Sequence, residues 1–542
     1  MITLRSGRFS SVRTLQEVLL ASAARFSDRP ALALLGGAPV GYRALLERAR
    51  GTASRLASRG VHAGDRVAIL GENSPAWAVA YFAVTSMGAV AVPILTDFPA
   101  AQIGTIVEHS GCRVVLVSSR LAGKLASALP AGREGGGPEV LDLEETAGGE
   151  GSFEFPPVSR DDLAAIIYTS GTTGHSKGVM LTHGNIVSNV VATRTILRMH
   201  PGDRLLSILP LAHTYECSLG LVAALLQGAA VTYLDRPPTA SALLPALAAV
   251  RPTVMLTVPL VMEKIVRSKV LPELQRHALY ARPTLRRVLN LVAGMKLKRL
   301  FGGRLRFFGI GGAGLAPDVE RVLAEARFPY AIGYGLTECA PLVAGCGPFR
   351  TRVGTVGPAL AGVEVRIADA GAGGGEVQVR GPNVMRGYYR DPGRTAEVFT
   401  PDGWFRTGDL GAFDARGRLA IRGRLKTMIL GASGENIYPE EIEALINQSE
   451  LVAESLVYGD DSGVNALVHL KPEVLDSLGD RVQEGIAKAE HAITGLLERI
   501  RREANGKLAA FSRVHRVHLQ REPFEKTPSQ KIKRHLYPRR DA

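Results

Sequence analysis

Short apolar runs recur through the first four hundred residues, and they restrict the fold more than any other feature. Arg66-Val67-Ala68-Ile69-Leu70 is one, Arg113-Val114-Val115-Leu116-Val117 a second, Ala164-Ala165-Ile166-Ile167-Tyr168 a third and Thr253-Val254-Met255-Leu256-Thr257-Val258 a fourth. A strand with one face in water alternates polar and apolar residues; these do not, so both faces are predicted to be buried. Helical patterns separate them, which predicts parallel sheets with helices on both sides. After about Gly354 the texture changes to short strands between glycine-rich turns, as in Gly362–Ile367 and Gly375–Arg380. That predicts a small, strongly twisted β unit, of which a barrel is one form, closed by Leu419–Arg424. A length of 542 residues exceeds one ordinary domain. The expected fold is therefore α/β. Residues 1–423 form a large body of two parallel-type sheets plus the β unit, and residues 424–542 form a small α+β domain.

Two uncharged stretches need a separate reading. Ser74–Leu95 contains Pro75, Gly88 and Pro93, and Cys217–Leu234 is broken by Gly220 and Gln227-Gly228. A membrane span needs about 20 continuous apolar residues. Each stretch is predicted instead to be a buried helix turning into a buried strand.

The strongest chemical motif is Tyr168-Thr169-Ser170-Gly171-Thr172-Thr173-Gly174-His175-Ser176-Lys177-Gly178, which directly follows a predicted buried strand. Small residues let backbone N–H groups approach phosphate oxygens, the hydroxyls add donors and Lys177 adds charge. It is not a Walker loop, because GxxxxGK[ST] is absent.

Continued through Val179 to Asn185, this segment resembles the signature loop of the adenylate-forming superfamily, which includes acyl-coenzyme A synthetases, peptide-synthetase adenylation domains and luciferases. Further motifs follow in the family's order. Leu209-Pro210-Leu211-Ala212-His213-Thr214-Tyr215-Glu216 resembles the acyl-pocket motif, which implicates His213 and Glu216; two capped helix residues are the alternative. Gly309-Ile310-Gly311-Gly312-Ala313-Gly314-Leu315 resembles the loop against adenine. Gly333-Tyr334-Gly335-Leu336-Thr337-Glu338 is similar to the segment that stacks on adenine and supplies a metal carboxylate. Trp404–Leu410 resembles the ribose motif and Gly423-Arg424-Leu425-Lys426 the hinge. Gly434-Glu435-Asn436 is similar to the loop that opens the C-terminal domain on the coenzyme A side. Lys526-Thr527-Pro528-Ser529-Gln530-Lys531-Ile532 resembles the catalytic-lysine motif.

The resemblance implies a two-step ligase whose C-terminal domain moves about Lys426. Carboxylate and triphosphate repel, so cations must sit at the reacting oxygens. Glu338, with Thr169, is implied to hold Mg²⁺, and Lys531 to be catalytic. Thr169, Ser170, Gly171, Thr172, Thr173, Gly174 and Lys177 are implied around the phosphates of ATP. Gly311, Gly312, Ala313, Tyr334, Gly335 and Thr337 are implied around adenine, and Asp409 and Arg424 at the ribose. Outside these motifs Glu338 would read as a helix N-terminal charge, Tyr334 as packing, Asp409 as a turn residue and Arg424 as a solvated strand end. Two departures stand out: Gln530 where many relatives carry glycine, and Leu430 where many carry a lysine. The motifs look closest to the fatty-acid branch. They imply a medium- or long-chain acid as substrate, with coenzyme A as acceptor or, alternatively, a carrier-protein thiol.

The formal charge is +14, which suits polyanionic ligands. Zinc-finger spacing and aromatic-interleaved basic motifs are absent, which argues against nucleic acid as a partner. Cys112, Cys217, Cys339 and Cys346 form no CxxC pair, and the N-terminus reads as no signal peptide, so reduced thiols in the cytoplasm are expected. Between Ala281 and Arg306 there are eight Lys/Arg residues and no Asp or Glu, with Leu285, Leu289 and Val292 at helical spacing. Such a helix either covers the core or sits peripherally on anionic membrane.

Overall fold

In the computed structural model the apolar runs are covered on both faces. The structure describes residues 12–129, 137–170, 176–236, 238–277, 280, 282–371, 374–430, 436–460, 463–483, 486–527 and 532–537. Strand Arg66–Leu70 shows the reason for its composition: Val67 and Ile69 enter one core with Trp77, while Ala68 and Leu70 enter another with Val115 and Ile166. With a side-chain period of two and hydrocarbon on each side, no position from Val67 to Leu70 is left for a polar residue.

Two large sheets make the N-terminal body. The first has seven strands, in the order Gly387–Tyr388, Ser176–Thr182, Leu163–Ser170, Val90–Pro93, Arg66–Leu70, Val114–Val117 and Glu139–Asp142. Its pairings are parallel except at the first two junctions. The second has eight, in the order Leu342–Gly345, Tyr330–Gly335, Phe307–Ile310, Val254–Thr257, Arg204–Ser207, Ala230–Tyr233, Pro30–Leu34 and Val40–Gly41. The expected α/β architecture is thus present.

The stretch Ser74–Leu95 folds as predicted. Ser74 caps helix Pro75–Ser86 by accepting the Trp77 N–H at 3.1 Å, the helix is buried nearly all round, and strand Val90–Pro93 follows. Cys217–Leu234 likewise turns from helix into strand Ala230–Tyr233. Among the described residues no helix is long and apolar enough to cross a membrane. The small β unit is a four-stranded antiparallel meander, Glu364–Gly371, Gly374–Arg380, Phe405–Phe413 and Leu419–Arg424. Its first and last strands do not pair among the described residues, so it is an open sheet there rather than a barrel.

Beyond Arg424 a separate core forms. Strands Val452–Asp460, Gly463–Leu470 and Arg516–Leu519 make a three-stranded sheet. Helices Pro439–Ile446 and Ile486–Asn505 cover it through Ile442, Ile446, Ile500 and Ala504.

Candidate active site

Parallel strands release their side chains at one edge, and ligands of open α/β sheets sit outside the carboxyl ends. Phe307–Ile310 and Tyr330–Gly335 pair in parallel, so Gly311-Gly312 and Tyr334-Gly335 leave the second sheet side by side. Gly312 has φ +89°, a conformation that favours glycine. A Cβ on Gly311 would press on the Tyr215 ring, and one on Gly335 would collide with the Pro341 carbonyl. The glycines are thus required by close approach. Ala313 continues the turn after Gly312.

On the first sheet, Leu163–Ser170 and Ser176–Thr182 form an antiparallel pair in which Thr169 faces Lys177 and Ser170 faces Ser176. The connecting residues, which include Gly171, Thr172, Thr173 and Gly174, lie outside the described residues. So do Gly434, Glu435 and Lys531. Asn436 is placed only as part of the pair Ile429–Leu430 with Asn436–Ile437.

The two sheets meet at Glu338. Its Oε1 accepts the Tyr388 hydroxyl at 3.0 Å, and Tyr388 belongs to the edge strand Gly387–Tyr388 of the first sheet. The Lys177 ammonium lies over the Tyr388 ring, 5.0 Å from its centre. Burial lowers the Lys177 pKa; the Glu338 charge opposes this, and Arg394 and Lys426 reinforce it. Glu338, Lys177, Tyr388 and the charge of Lys426 therefore share one neighbourhood. Buried amides fix the turn: Asn189 donates to the Leu342 carbonyl at 2.7 Å and Asn383 to that of Cys339 at 2.9 Å. Thr214 donates to the Thr337 hydroxyl at 3.4 Å, tying the His213 segment to the same turn.

A second cluster surrounds Asp409, which is 4% exposed. One oxygen accepts the Tyr334 hydroxyl at 2.6 Å and the other faces Arg424 Nε at 2.7 Å. Asp409 and Arg424 are opposed in register on neighbouring strands. Burial first, then the Asp409 charge, drives the Tyr334 pKa well upward, so its hydroxyl stays a donor.

His213 and Glu216 part company. His213 Nδ1 accepts the Tyr215 N–H at 3.2 Å, close to the glycine loop. Glu216 is buried in the core against Ser207 and Gly220. Burial pushes its pKa up to about 8, and its Oε2 finds no hydrogen-bond partner among the described residues.

At the proposed hinge, Lys426 sits in the short turn Leu425–Thr427. Thr427 donates to Glu440 at 2.8 Å, and Arg422 pairs with Glu441 at 4.0 Å. In the basic tail, Lys526 pairs with Glu454 and Lys533 with Glu525 at 3.2 Å. A bridge between Lys526 and Ile532 ties together the ends of the segment that carries Lys531.

Tyr388 and Tyr215 are absent from the residues singled out by sequence. The signal for Tyr388 was the aromatic pair in Gly387-Tyr388-Tyr389, whose meaning depends on a partner fifty residues away. Tyr215 sits inside the quoted His213 segment, but only its contact with the glycine loop distinguishes it.

Residues 19–389 match the AMP-binding enzyme family, and residues 426–540 match the AMP-binding enzyme C-terminal domain. The chain belongs to the AMP-binding enzyme family. It is 33% identical over 480 residues to long-chain-fatty-acid–CoA ligase FadD15 of Mycobacterium bovis, covering 80% of this chain and 77% of that one. It is 32% identical over 432 residues to feruloyl-CoA synthase of an Amycolatopsis species, covering 78% and 80%. Among solved structures it resembles ATP-bound MatB from Rhodopseudomonas palustris, with a TM-score of 0.76 and 27% identity over 96% of this chain and 98% of that one. The AMP-binding enzyme is thus of the class expected from the sequence, an AMP-forming acid–CoA ligase.

Proposed function

We propose that this ligase activates a medium- or long-chain fatty acid. ATP and the acid give acyl-AMP and pyrophosphate, and the coenzyme A thiol then displaces AMP. The observation that carries the adenylation half is the meeting of Glu338, Tyr388 and Lys177 beside the strand pair that flanks the glycine-threonine loop. The fatty-acid assignment rests on the 33% identical long-chain ligase.

In this reading Thr169, Ser170, Gly171, Thr172, Thr173, Gly174 and Lys177 receive the phosphates. Gly311, Gly312, Ala313, Gly335 and Thr337 line the adenine with Tyr334, and Asp409 accepts the ribose hydroxyls while Arg424 holds its charge in place. Among the described residues no cluster of three or more His, Cys, Asp or Glu could hold a resident metal. A hard cation brought in by the phosphates suits the donors present: the Glu338 carboxylate, steadied by Tyr388, and the Thr169 hydroxyl. Mg²⁺ there would offset phosphate charge. His213 borders the acid, and Lys531 bridges the acid oxygen and the α-phosphate. Residues from about 424 onward act as a domain that swings at Lys426, removing Lys531 and presenting Gly434, Glu435 and Asn436 to coenzyme A.

A screen of straight-chain acids of graded length, with ferulate alongside, scores AMP release with and without coenzyme A. Thioester formed fastest with medium or long chains supports the reading. Preference for ferulate, or release indifferent to chain length, overturns the fatty-acid assignment while leaving the ligase chemistry intact.

A further inference from the structure

Helix Pro283–Leu300 has eighteen residues and neither Asp nor Glu. Its inner side is well defined. Asn290 is fully buried and donates to Glu325 at 2.6 Å, Leu297 is buried, and a Cβ on Gly294 would collide with the Ala326 backbone. Leu285 and Leu289, expected on the lipid-facing stripe, are half-buried, whereas Leu291 and Val292 are exposed.

The opposite side carries a second apolar stripe. Val288 is 56% exposed, Leu291 39%, Val292 41% and Met295 57%. Their i, i+3, i+4, i+7 spacing puts all four on one line of the helix, pointing away from the protein. The charges beside them are positive. Lys296 is paired with Glu273 at 2.5 Å, but exposed Arg287, Lys298 and Arg299 have no ion-pair partner among the described residues. A second copy of this chain would bring the same positive charges face to face, which disfavours self-pairing. A surface with anionic groups outside and hydrocarbon beneath complements both features at once.

We propose that helix Pro283–Leu300 docks the enzyme on an anionic lipid bilayer. It lies flat in the interface, with Val288, Leu291, Val292 and Met295 among the acyl chains and Arg287, Lys298 and Arg299 at the headgroup phosphates. This placement does not depend on which acid is activated.

The test is co-sedimentation of the full chain with vesicles of phosphatidylcholine, alone or mixed with phosphatidylglycerol. Each basic side chain at an anionic surface raises partitioning about fivefold. The combined variant Arg287→Ala, Lys298→Ala, Arg299→Ala is therefore expected to bind mixed vesicles about a hundredfold more weakly. The combined variant Val288→Ser, Leu291→Ser, Val292→Ser, Met295→Ser is expected to lose binding even at low salt. Both should release AMP from a short soluble acid at the parent rate, which reports an intact fold. The parent should bind mixed vesicles, bind less as salt screens the charges, and ignore pure phosphatidylcholine. The proposal is overturned by failure to bind mixed vesicles, or by binding that both variants retain. Concentration-dependent self-association abolished by the serine variant also overturns it, assigning the face to a protein contact.

Discussion

Tyr388→Phe isolates one hydroxyl at the junction of the two sheets. The ring remains under Lys177, and the Thr395 hydroxyl still accepts the residue's backbone N–H at 2.9 Å, so packing is conserved. What disappears is the 3.0 Å bond to Glu338 Oε1. A hydrogen bond to a charged group is worth about 1.5–3 kcal/mol. If that bond holds Glu338 in place for the phosphates, adenylation slows by about ten- to 150-fold, since about 1.4 kcal/mol is a factor of ten. The assay is acid-dependent incorporation of labelled pyrophosphate into ATP without coenzyme A, with thermal unfolding as the stability control. Tyr388→Leu, which also removes the ring beneath Lys177, should be slower still. Exchange by Tyr388→Phe within twofold of the parent would falsify the positioning role.

Two further substitutions probe Lys531 and Glu216. Lys531→Ala should slow formation of acyl-AMP by on the order of a hundredfold, yet convert supplied acyl-AMP and coenzyme A to thioester at a near-normal rate. Lys526→Ala and Lys533→Ala break ion pairs with Glu454 and Glu525 and should lack that selective defect; identical behaviour of all three counts against Lys531. Glu216→Gln tests the buried carboxyl. Its folded pKa of about 8 lies above the unfolded value, so the folded state holds the extra proton between roughly pH 4.5 and pH 8, and the parent loses stability as pH rises through that window. The neutral variant lacks this loss and should gain on the parent by on the order of a few kcal/mol between pH 5 and pH 8. Urea midpoints of both proteins at the two pH values measure it; a constant difference means Glu216 is not buried neutral.

Where sequence was informative, the physics was local. Val67 to Leu70 reads as a doubly buried strand because hydrocarbon on both faces leaves no polar position, and the structure divides its side chains between two cores. Ser74–Leu95, interrupted by Pro75, Gly88 and Pro93, reads as a buried helix turning into a buried strand, and it folds that way. Asp409 and Arg424 were placed together at the ribose by motif, and their opposed register explains the pairing. What stayed hidden depends on distance or direction. Tyr388 gains meaning only from Glu338. The open form of the β meander depends on whether its first and last strands pair, which strand patterns do not encode. Helix Pro283–Leu300 has apolar residues on two sides, and periodicity alone cannot say which side the protein covers. Glu216 sits in the same motif as His213, yet its side chain is buried in the core, and spacing within the motif does not encode that difference.

In the proposed reaction the acid is activated as an adenylate before any thiol is engaged. Pyrophosphate–ATP exchange in the absence of coenzyme A isolates that first step, measured with parent protein, Glu338→Gln and a graded series of fatty acids. Exchange should require the acid, rise with chains of medium or greater length and fall by orders of magnitude in Glu338→Gln. Acid-independent exchange, exchange that appears only when coenzyme A is added, or exchange untouched by Glu338→Gln would rule out this mechanism.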